Sequence, residues 1–156
     1  MQNEDFARAI LGMTDTLYRV ASTQLHQQAD REDAVQECLR KAWEKRHRLR
    51  DARYVQTWVI RILLNECHTM QKRMARTLPS EDVPAAAPAS QAGALKEALL
   101  SLEERYRTPI LLYYIEGYTV AEIASILRVP QGTVKTWLAR GRKALKARLN
   151  EEVFEE

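Results

Sequence analysis

The sequence is poor in the residues that mark β-structure, disulfide frameworks and metal sites. It contains five glycines and two cysteines among 156 residues, and it shows almost no alternation of β-branched with polar residues. The two thiols, Cys38 and Cys67, lie far apart and have no histidine or cysteine nearby at metal-ligand spacing. We therefore expect an all-helical protein with buried free thiols, no metal site and no cofactor.

Long apolar runs are also missing. No stretch approaches the ~20 apolar residues that a membrane-spanning helix needs. The start, MQNEDFARA, is acidic and lacks the basic segment that opens a signal peptide. We expect a cytoplasmic protein without membrane insertion.

The formal net charge is only +3, so the distribution of charge, and not its sum, has to indicate any nucleic-acid partner.

Three helical patterns fill the first 76 residues. Apolar residues recur at helical spacing over residues 3–25, 31–47 and 55–74, and Asn3 can cap the first of these helices. The residues expected to face the core are Phe6, Ile10, Met13, Leu17 and Val20 on the first helix, Val35, Leu39, Ala42 and Trp43 on the second, and Trp58, Ile62 and Leu63 on the third. A short basic loop, RLRDARY, separates the last two helices.

The composition changes at residues 77–93. The segment TLPSEDVPAAAPASQAG contains three prolines, and Leu78 and Val83 are its only large apolar residues, a composition typical of a flexible linker. Helical periodicity returns over residues 94–150, where Pro109 predicts a boundary or kink. Residues 151–156 form an acidic tail. The sequence thus predicts two small helical domains, residues 1–76 and 94–150, joined by a linker.

The second domain contains TVAEIASILRVPQGTVKTWLARGRKAL, which reads as two helices joined by a tight turn. Thr119 and Glu122 have the spacing of a capping box, and Pro130 ends the first helix. On the second helix, one side carries Val134, Leu138, Gly141 and Leu145, and the opposite side carries Thr136, Ala139, Arg140 and Lys143.

The outer face of this second helix suits the major groove of DNA. Long cations can bind phosphate and guanine, while small side chains permit close approach and contact with thymine methyl groups. Lys135, Arg142 and Lys146 flank this face, and no acidic residue occurs from Arg128 to Arg148. An ordinary helical hairpin with a solvated basic face is the alternative. The motif alone does not distinguish repressors, activators and initiation factors.

The second helix of the first domain has an acidic beginning. In DREDAVQECLRKAW, Asp33 and Glu37 are four residues apart, with Gln36 alongside. Taken alone, this pattern is explained by a solvated helix start, because acidic side chains favour the N-terminal end of the helix dipole.

The order of these segments resembles a known family. DREDAVQECLRKAW, then TWVIRILLNECHTMQKR, then LSLEERYRTPILLYYIEGYTVAEIASILRVPQGTVKTWLARGRKAL are similar to bacterial RNA polymerase sigma factors of the sigma-70 family. The similarity is to the extracytoplasmic-function (ECF) group, which keeps the second and fourth sigma domains. It implies a non-enzymatic subunit that binds core RNA polymerase and promoter DNA, and it implies an anti-sigma partner.

The resemblance assigns roles to individual residues. Core polymerase binding falls on Asp33, Gln36, Glu37 and Arg40. Recognition of the promoter −10 element, with capture of a flipped base by the loop, falls on Arg48, Arg50, Arg53, Tyr54, Arg61, Asn65, Lys72 and Arg73. Recognition of the −35 element falls on Thr133, Lys135, Thr136, Ala139, Arg140, Arg142, Lys143 and Lys146. Thr136 and Trp137 stand where many members of the family have serine followed by arginine.

Two other functions remain open from the sequence. One is a free-standing helix-turn-helix regulator that binds duplex operator DNA without polymerase. The other is a sigma-like scaffold that has lost DNA binding. The acidic D-x-x-Q-E face favours the sigma factor over the free-standing regulator, which has no use for such a face.

Overall fold

The computed structural model describes residues 2–76 and 91–154, with side-chain surroundings for 2–76 and 93–150. These residues form eight α-helices joined by turns, and no strand occurs in the described ranges, which confirms the predicted all-helical class. The chain separates into two compact units, built mainly from the helices before residue 77 and from those after residue 90. Most of the predicted linker, residues 77–90, and the tail residues 155–156 lie outside the described residues.

The first predicted helix is in fact two helices, α1 (Asn3–Leu11) and α2 (Thr14–Ser22). At the break, the Met13 amide donates to the Ile10 carbonyl, three residues back. The regular four-residue spacing of helical hydrogen bonds resumes at the Leu17 amide, which donates to the Met13 carbonyl. Gly12 permits this tightened turn, since it is a weak helix former. The predicted core residues Phe6, Ile10, Met13, Leu17 and Val20 are nevertheless all buried.

The predicted cap at Asn3 is wrong. Asn3 lies inside α1, and its side-chain oxygen instead accepts a hydrogen bond from Arg46 Nε at 3.0 Å. The residue at the cap position is Gln2, whose side chain makes no capping bond. Asn3 therefore links the start of α1 to the turn after the following long helix.

Two long helices complete the N-terminal unit, α3 (Gln28–Glu44) and α4 (Val55–Arg76). Between them lie two short 3-10 turns, Arg46–Arg48 and Ala52–Tyr54. The predicted core face of α3 was partly wrong, because Leu39 is only half-buried and Trp43 is exposed. The buried side chains are Ala34, Val35, Cys38 and Ala42 on α3, and Val59, Ile60, Leu63, Leu64 and Cys67 on α4.

Small residues on α3 explain this difference. Ala34, Cys38 and Ala42 recur every four residues and form a shallow face on which α4 packs. Cys38 and Cys67 are both buried free thiols, as predicted, and the Cys38 thiol donates weakly to the Val59 carbonyl at 3.5 Å. Burial raises the pKa of Cys38 to about 12.

The C-terminal unit begins with α5 (Gln91–Ser101), ahead of the predicted start at residue 94, and continues with α6 (Glu104–Ile110). Pro109 lies in the last turn of α6 and is followed by a π-helical turn, Leu111–Ile115. Because proline lacks an amide hydrogen, one backbone hydrogen bond of the helix cannot form at this point. Gly117, at a φ of +79°, ends the turn.

The last two helices are α7 (Val120–Leu127) and α8 (Gln131–Phe154). α8 packs against α5 and α6, and the contact with α6 is close at Gly141. A Cβ atom at this position would lie 2.9 Å from Cγ1 of Ile110. Glycine at position 141 therefore allows the two helices to approach each other.

Candidate protein and nucleic-acid interfaces

The predicted capping box forms and defines the start of α7. The Thr119 amide donates to Glu122 Oε1 at 2.9 Å, and the Glu122 amide donates to Thr119 Oγ1 at 3.1 Å. These two bonds satisfy amides that have no partner within the helix. α7 thus begins at the predicted place, with Tyr118 and Ile123 both buried.

The turn between α7 and α8 comprises Arg128, Val129 and Pro130. Arg128 adopts the left-handed conformation at a φ of +58°, and the Val129 amide donates to the Ala124 carbonyl at 3.1 Å. Pro130 then precedes α8, and its carbonyl accepts from the Thr133 amide at 3.0 Å. The structure thus contains the predicted helix-turn-helix.

The two sides of α8 are those expected from the sequence. Val134, Leu138 and Gly141 are buried and Leu145 is half-buried. Of the predicted −35 residues, Thr133 is half-buried, and the exposed ones are Lys135, Thr136, Ala139, Arg140, Arg142, Lys143 and Lys146. Over residues 133–148 the outer face is therefore cationic and carries no acidic side chain.

Two residues of this set already have partners within the protein. Arg142 Nη1 donates to the Tyr114 hydroxyl at 2.7 Å, which directs this guanidinium towards the π-helical turn. Thr136 Oγ1 donates to the Gly132 carbonyl at 3.0 Å. Arg142 retains further N–H donors for a phosphate, whereas the Thr136 hydroxyl has a single hydrogen, which is already used.

The predicted polymerase-binding residues of α3 line a groove of about 540 Å³ between α3 and α4. Asp33, Gln36, Glu37 and Arg40 contribute to it from α3, and the sequence reasoning missed Glu66 and Met70, which line it from α4. Arg73 also lines this groove, although the resemblance placed it in the −10 set. Glu66 was missed because it shares a helix face with apolar core residues.

Ion pairs fix the charge pattern of this groove. Arg40 bonds to Glu37 and, at 2.6 Å, to Glu44, and the bond from Arg40 lowers the pKa of Glu37. Lys41 forms an ion pair with Glu66 across the α3–α4 packing. Glu66 is only 9% exposed, so the pair holds a buried carboxylate beside the groove.

The loop between α3 and α4 presents the predicted −10 residues at the surface. Arg48, Arg50, Arg53 and Tyr54 are all exposed. Arg53 is held by Asp51, whose carboxylate accepts from Arg53 Nη2 at 2.7 Å and from the Arg53 amide at 2.9 Å. These bonds lower the pKa of Asp51 and leave the carboxylate charged at neutral pH.

Beside this loop the structure has a groove that the sequence did not indicate. It measures about 570 Å³ and is lined by Asn3, Phe6, Glu44, Arg46, His47 and Leu49. The Arg46 guanidinium lies 4.0 Å from the centre of the Trp43 ring. Phe6 contacts both Trp43 and Trp58, with ring centres 6.2 and 6.1 Å apart. None of the four predicted loop residues lines this groove.

The remaining −10 residues lie along α4. At 100° per residue, Arg61, Asn65 and Lys72 fall within about 40° of one another around the helix, and Asn65 and Lys72 are exposed. Arg73 faces the other side, towards the α3 groove. The structure thus brings three of the four α4 residues onto one face and separates the fourth.

Comparisons with known proteins match both halves of the chain. Residues 13–77 match the family described as Sigma-70 region 2, and residues 92–145 match Sigma-70, region 4. The ECF RNA polymerase sigma factor SigM of Mycobacterium tuberculosis is 34% identical over 145 residues, covering 84% of this chain and 74% of that protein. The ECF RNA polymerase sigma-E factor of Escherichia coli is 31% identical over 134 residues, covering 72% and 70%.

Solved structures show the same likeness. The sigma factor RpoE of Bartonella quintana, solved in complex with the anti-sigma factor NepR, superposes with a TM-score of 0.81 at 26% identity, covering 94% of this chain and 98% of that one. CnrH, solved with the cytosolic domain of CnrY, superposes at 0.70 with 21% identity and supports the fold. This protein belongs to the ECF sigma factors of the sigma-70 family.

Membership of this family defines the general function. The protein is an alternative sigma factor, which binds RNA polymerase and promoter DNA and directs transcription initiation. Sigma factors are non-enzymatic regulators of transcription. The free-standing regulator is not favoured, because the match includes region 2 as well as the helix-turn-helix region. Within the described residues, no helix is both long and apolar enough to cross a bilayer.

Proposed function

We propose that the two units divide the work of initiation. Residues 1–76 dock on core polymerase and engage the −10 element, residues 94–150 read the −35 element, and residues 77–93 join them. The acidic residues 151–156, which begin within the last turn of α8, take no part in reading DNA. The observation that carries this proposal is the separation of charge. In one unit, the carboxylates of Asp33, Glu37 and Glu66 line a groove between α3 and α4, together with two arginines. In the other unit, residues 128–148 include the cations of α8 and no acidic residue.

The α3 groove suits a protein partner. Asp33 and Glu37 would be repelled by phosphate, whereas a basic helix of the polymerase would be attracted to them. Gln36 adds a neutral donor and acceptor, and Met70 adds an adaptable apolar surface. Arg40 is tied to two glutamates, so its role is to hold Glu37 in position as well as to contact the partner.

The α8 face suits duplex DNA. Arg140 and Lys143 can reach base edges in the major groove, and Lys135, Arg142 and Lys146 are placed for phosphates. Thr133 and Ala139 allow close approach of the helix to the groove. In the N-terminal unit, the exposed Tyr54 and the loop arginines provide a stacking surface and cations for a separated strand.

Two further parts of the proposal concern the setting. The relatives with solved structures include a sigma factor held by an anti-sigma factor, and we propose a partner of this type for the present protein. We also propose that it acts in the cytoplasm, where the polymerase is, and that it performs no catalysis itself.

Transcription assays with matched variants test the division of work. Arg140→Ala should leave association with core polymerase unchanged and reduce run-off transcription from a −35-dependent promoter about tenfold, since a base-reading arginine contributes about 1–3 kcal/mol. Arg148→Ala, a change of the same kind later on α8, is the control. Asp33→Ala and Glu37→Ala should weaken pull-down of core polymerase, while Glu32→Ala, on the same helix but outside the groove, should not.

The results distinguish the proposal from its alternatives. Loss of the same step by the α3 and α8 variants would rule out two separate surfaces. Specific DNA binding by the chain without any polymerase association would rule out the polymerase-docking role of α3.

A further inference from the structure

The hydroxyl hydrogen of Thr136, on the exposed side of α8, is bound to the backbone of the same helix. Thr136 is exposed, and its hydroxyl donates to the Gly132 carbonyl one turn earlier at 3.0 Å. A hydroxyl has one hydrogen to donate. While this bond is intact, Thr136 cannot donate to guanine or to the O4 atom of thymine.

The remaining substituent on Cβ of Thr136 is apolar. Threonine carries two heavy atoms on Cβ, and the bond to the backbone fixes which of them turns towards the helix. The Cγ2 methyl group is therefore the apolar part of this side chain, while the hydroxyl oxygen can still accept a hydrogen bond.

The surroundings of Thr136 extend the apolar surface. Ala139 is exposed three residues later on the same side of α8, and residues three apart are neighbours on a helix surface. Lys135, Arg140 and Lys143 are exposed around them. A small apolar patch surrounded by cations matches a thymine methyl group, which lies in the major groove between the two phosphate backbones.

We propose that Thr136 reads a thymine in the −35 element through its C5-methyl group. This inference rests on the proposed role of α8 in −35 recognition and adds a specificity determinant to it. Serine at this position would keep the hydroxyl and lose the methyl group, so the threonine itself carries the preference.

A promoter library tests the proposal on the assembled holoenzyme. Both promoter elements are randomised, and the −35 segment is synthesised in one pool with thymine and in a parallel pool with uracil, which lacks the C5-methyl group. Bound duplexes are sequenced. Wild-type holoenzyme should enrich thymine at one −35 position about fourfold more than it enriches uracil there, which corresponds to about 0.8 kcal/mol for one buried methyl-sized group.

Three variants identify the group responsible. Thr136→Val keeps the Cγ2 methyl group and replaces the hydroxyl with a second methyl group, so it should retain the difference between thymine and uracil. Thr136→Ser keeps the hydroxyl and should lose the difference. Thr69→Ser is the matched control, because Thr69 on α4 is also exposed and makes the same bond to the carbonyl four residues earlier, at 2.9 Å to Asn65. It should behave as wild type.

Each alternative sequencing result contradicts a specific claim about Thr136 or α8. Equal enrichment of thymine and uracil within a selected −35 sequence overturns the methyl contact alone. Enrichment of adenine or cytosine that persists in Thr136→Ser and disappears in Thr136→Val would mean that the hydroxyl oxygen accepts from a base, and it overturns the proposal as well. Absence of any −35 selection by the wild-type holoenzyme overturns both this inference and the proposed role of α8.

Discussion

Gly141 is the residue at which the packing of α8 on α6 is tightest. An added Cβ atom would lie 2.9 Å from Cγ1 and 3.1 Å from Cδ1 of Ile110, which is buried. We expect Gly141→Ala to lower the free energy of unfolding by about 1–3 kcal/mol, the usual cost of overpacking, although alanine favours helices over glycine. Urea denaturation of the full chain measures this change.

Gly132 provides the control on the same helix. A Cβ atom at this position would meet nothing within 4 Å, so Gly132→Ala should stabilise α8 by up to about 1 kcal/mol through helix propensity. Equal effects of the two substitutions would show that backbone propensity, and not contact with Ile110, decides the result.

Cys38 gives the N-terminal unit a dependence on alkaline pH. Its folded pKa is raised by burial to about 12, from an ordinary value of 9.0. The unfolded chain therefore loses this proton first, and the stabilising contribution is complete below pH 9 and falls as pH rises towards 12. The unfolding free-energy difference between wild type and Cys38→Ala should change by up to about 1.4 kcal/mol per pH unit above pH 9.

This comparison removes the contributions of ionising groups remote from Cys38, and the groups that remain coupled to it are the Cys67 thiol and the Glu66 carboxylate, which also raise its pKa. Denaturant titrations from pH 8 to pH 10.5 provide the measurement. A difference that stays constant over this interval would mean that the Cys38 thiolate is tolerated in the folded core.

At the scale of the helices, the Lys41–Glu66 pair joins α3 to α4 beside the candidate polymerase groove. Lys41→Met would leave the Glu66 carboxylate, with a side chain only 12% exposed, without this partner. We expect a loss of about 2–3 kcal/mol, less than the 3–5 kcal/mol of a fully buried pair, because a third of Lys41 remains in water. Thermal or urea unfolding measures it.

The double variant Lys41→Met with Glu66→Leu supplies the control for this pair. Removing both charges should restore most of the lost stability, since no buried carboxylate remains. If the double variant loses as much unfolding free energy as the two single variants lose together, the two side chains act independently.

Local signals made the helix-turn-helix predictable from the sequence. The Thr119–Glu122 capping box and Pro130 act through bonds between near neighbours, and both operate in the structure as expected. The inner face of α8, with Val134 and Leu138, was predicted because a long uninterrupted helix keeps its periodicity. Contacts of this kind need no knowledge of the rest of the fold.

Features set by tertiary packing were not predictable in the same way. The break at Gly12 was missed because the apolar spacing continues across it, from Ile10 to Met13. Asn3 was expected to cap its own helix and instead binds Arg46, more than forty residues later. Trp43 was placed in the core because it continues the apolar spacing of Val35 and Leu39, but small side chains such as Cys38 fill the α3–α4 contact.

Tertiary packing also decides which residues meet at the candidate sites. The resemblance indicated which parts of α3 and α8 to consider, but not that Arg73 lines the α3 groove or that Asp51 holds Arg53. These pairings depend on how α4 and the loop before it are placed, and a linear pattern does not record this. The roles of the individual residues stay predictions.

At the scale of the whole molecule, the small net charge of +3 understates the attraction for DNA. Because residues 128–148 include the cations of α8 and no acidic residue, the salt dependence of promoter binding should follow local charge. Lys146→Gln should weaken binding by the holoenzyme about equally for all sequences and reduce the slope of log affinity against log salt by about 0.9.

Lys96→Gln changes the net charge by the same amount on α5, where Lys96 is also exposed, and should leave this slope unchanged. Filter-binding or fluorescence titrations between 50 and 200 mM salt would give both slopes, with these concentrations chosen as about the range in which counterion release is measurable. Equal changes for both variants would mean that total charge governs binding.

The placement of the three tryptophans gives the protein an optical reporter in each half. Trp43 and Trp58 both contact Phe6 in the N-terminal unit, whereas Trp137 lies half-buried on α8, next to Thr136. Replacing Trp43 and Trp58 by phenylalanine would leave emission from α8 alone. Stopped-flow fluorescence of that protein could then time the arrival of the recognition helix at a promoter without any attached dye.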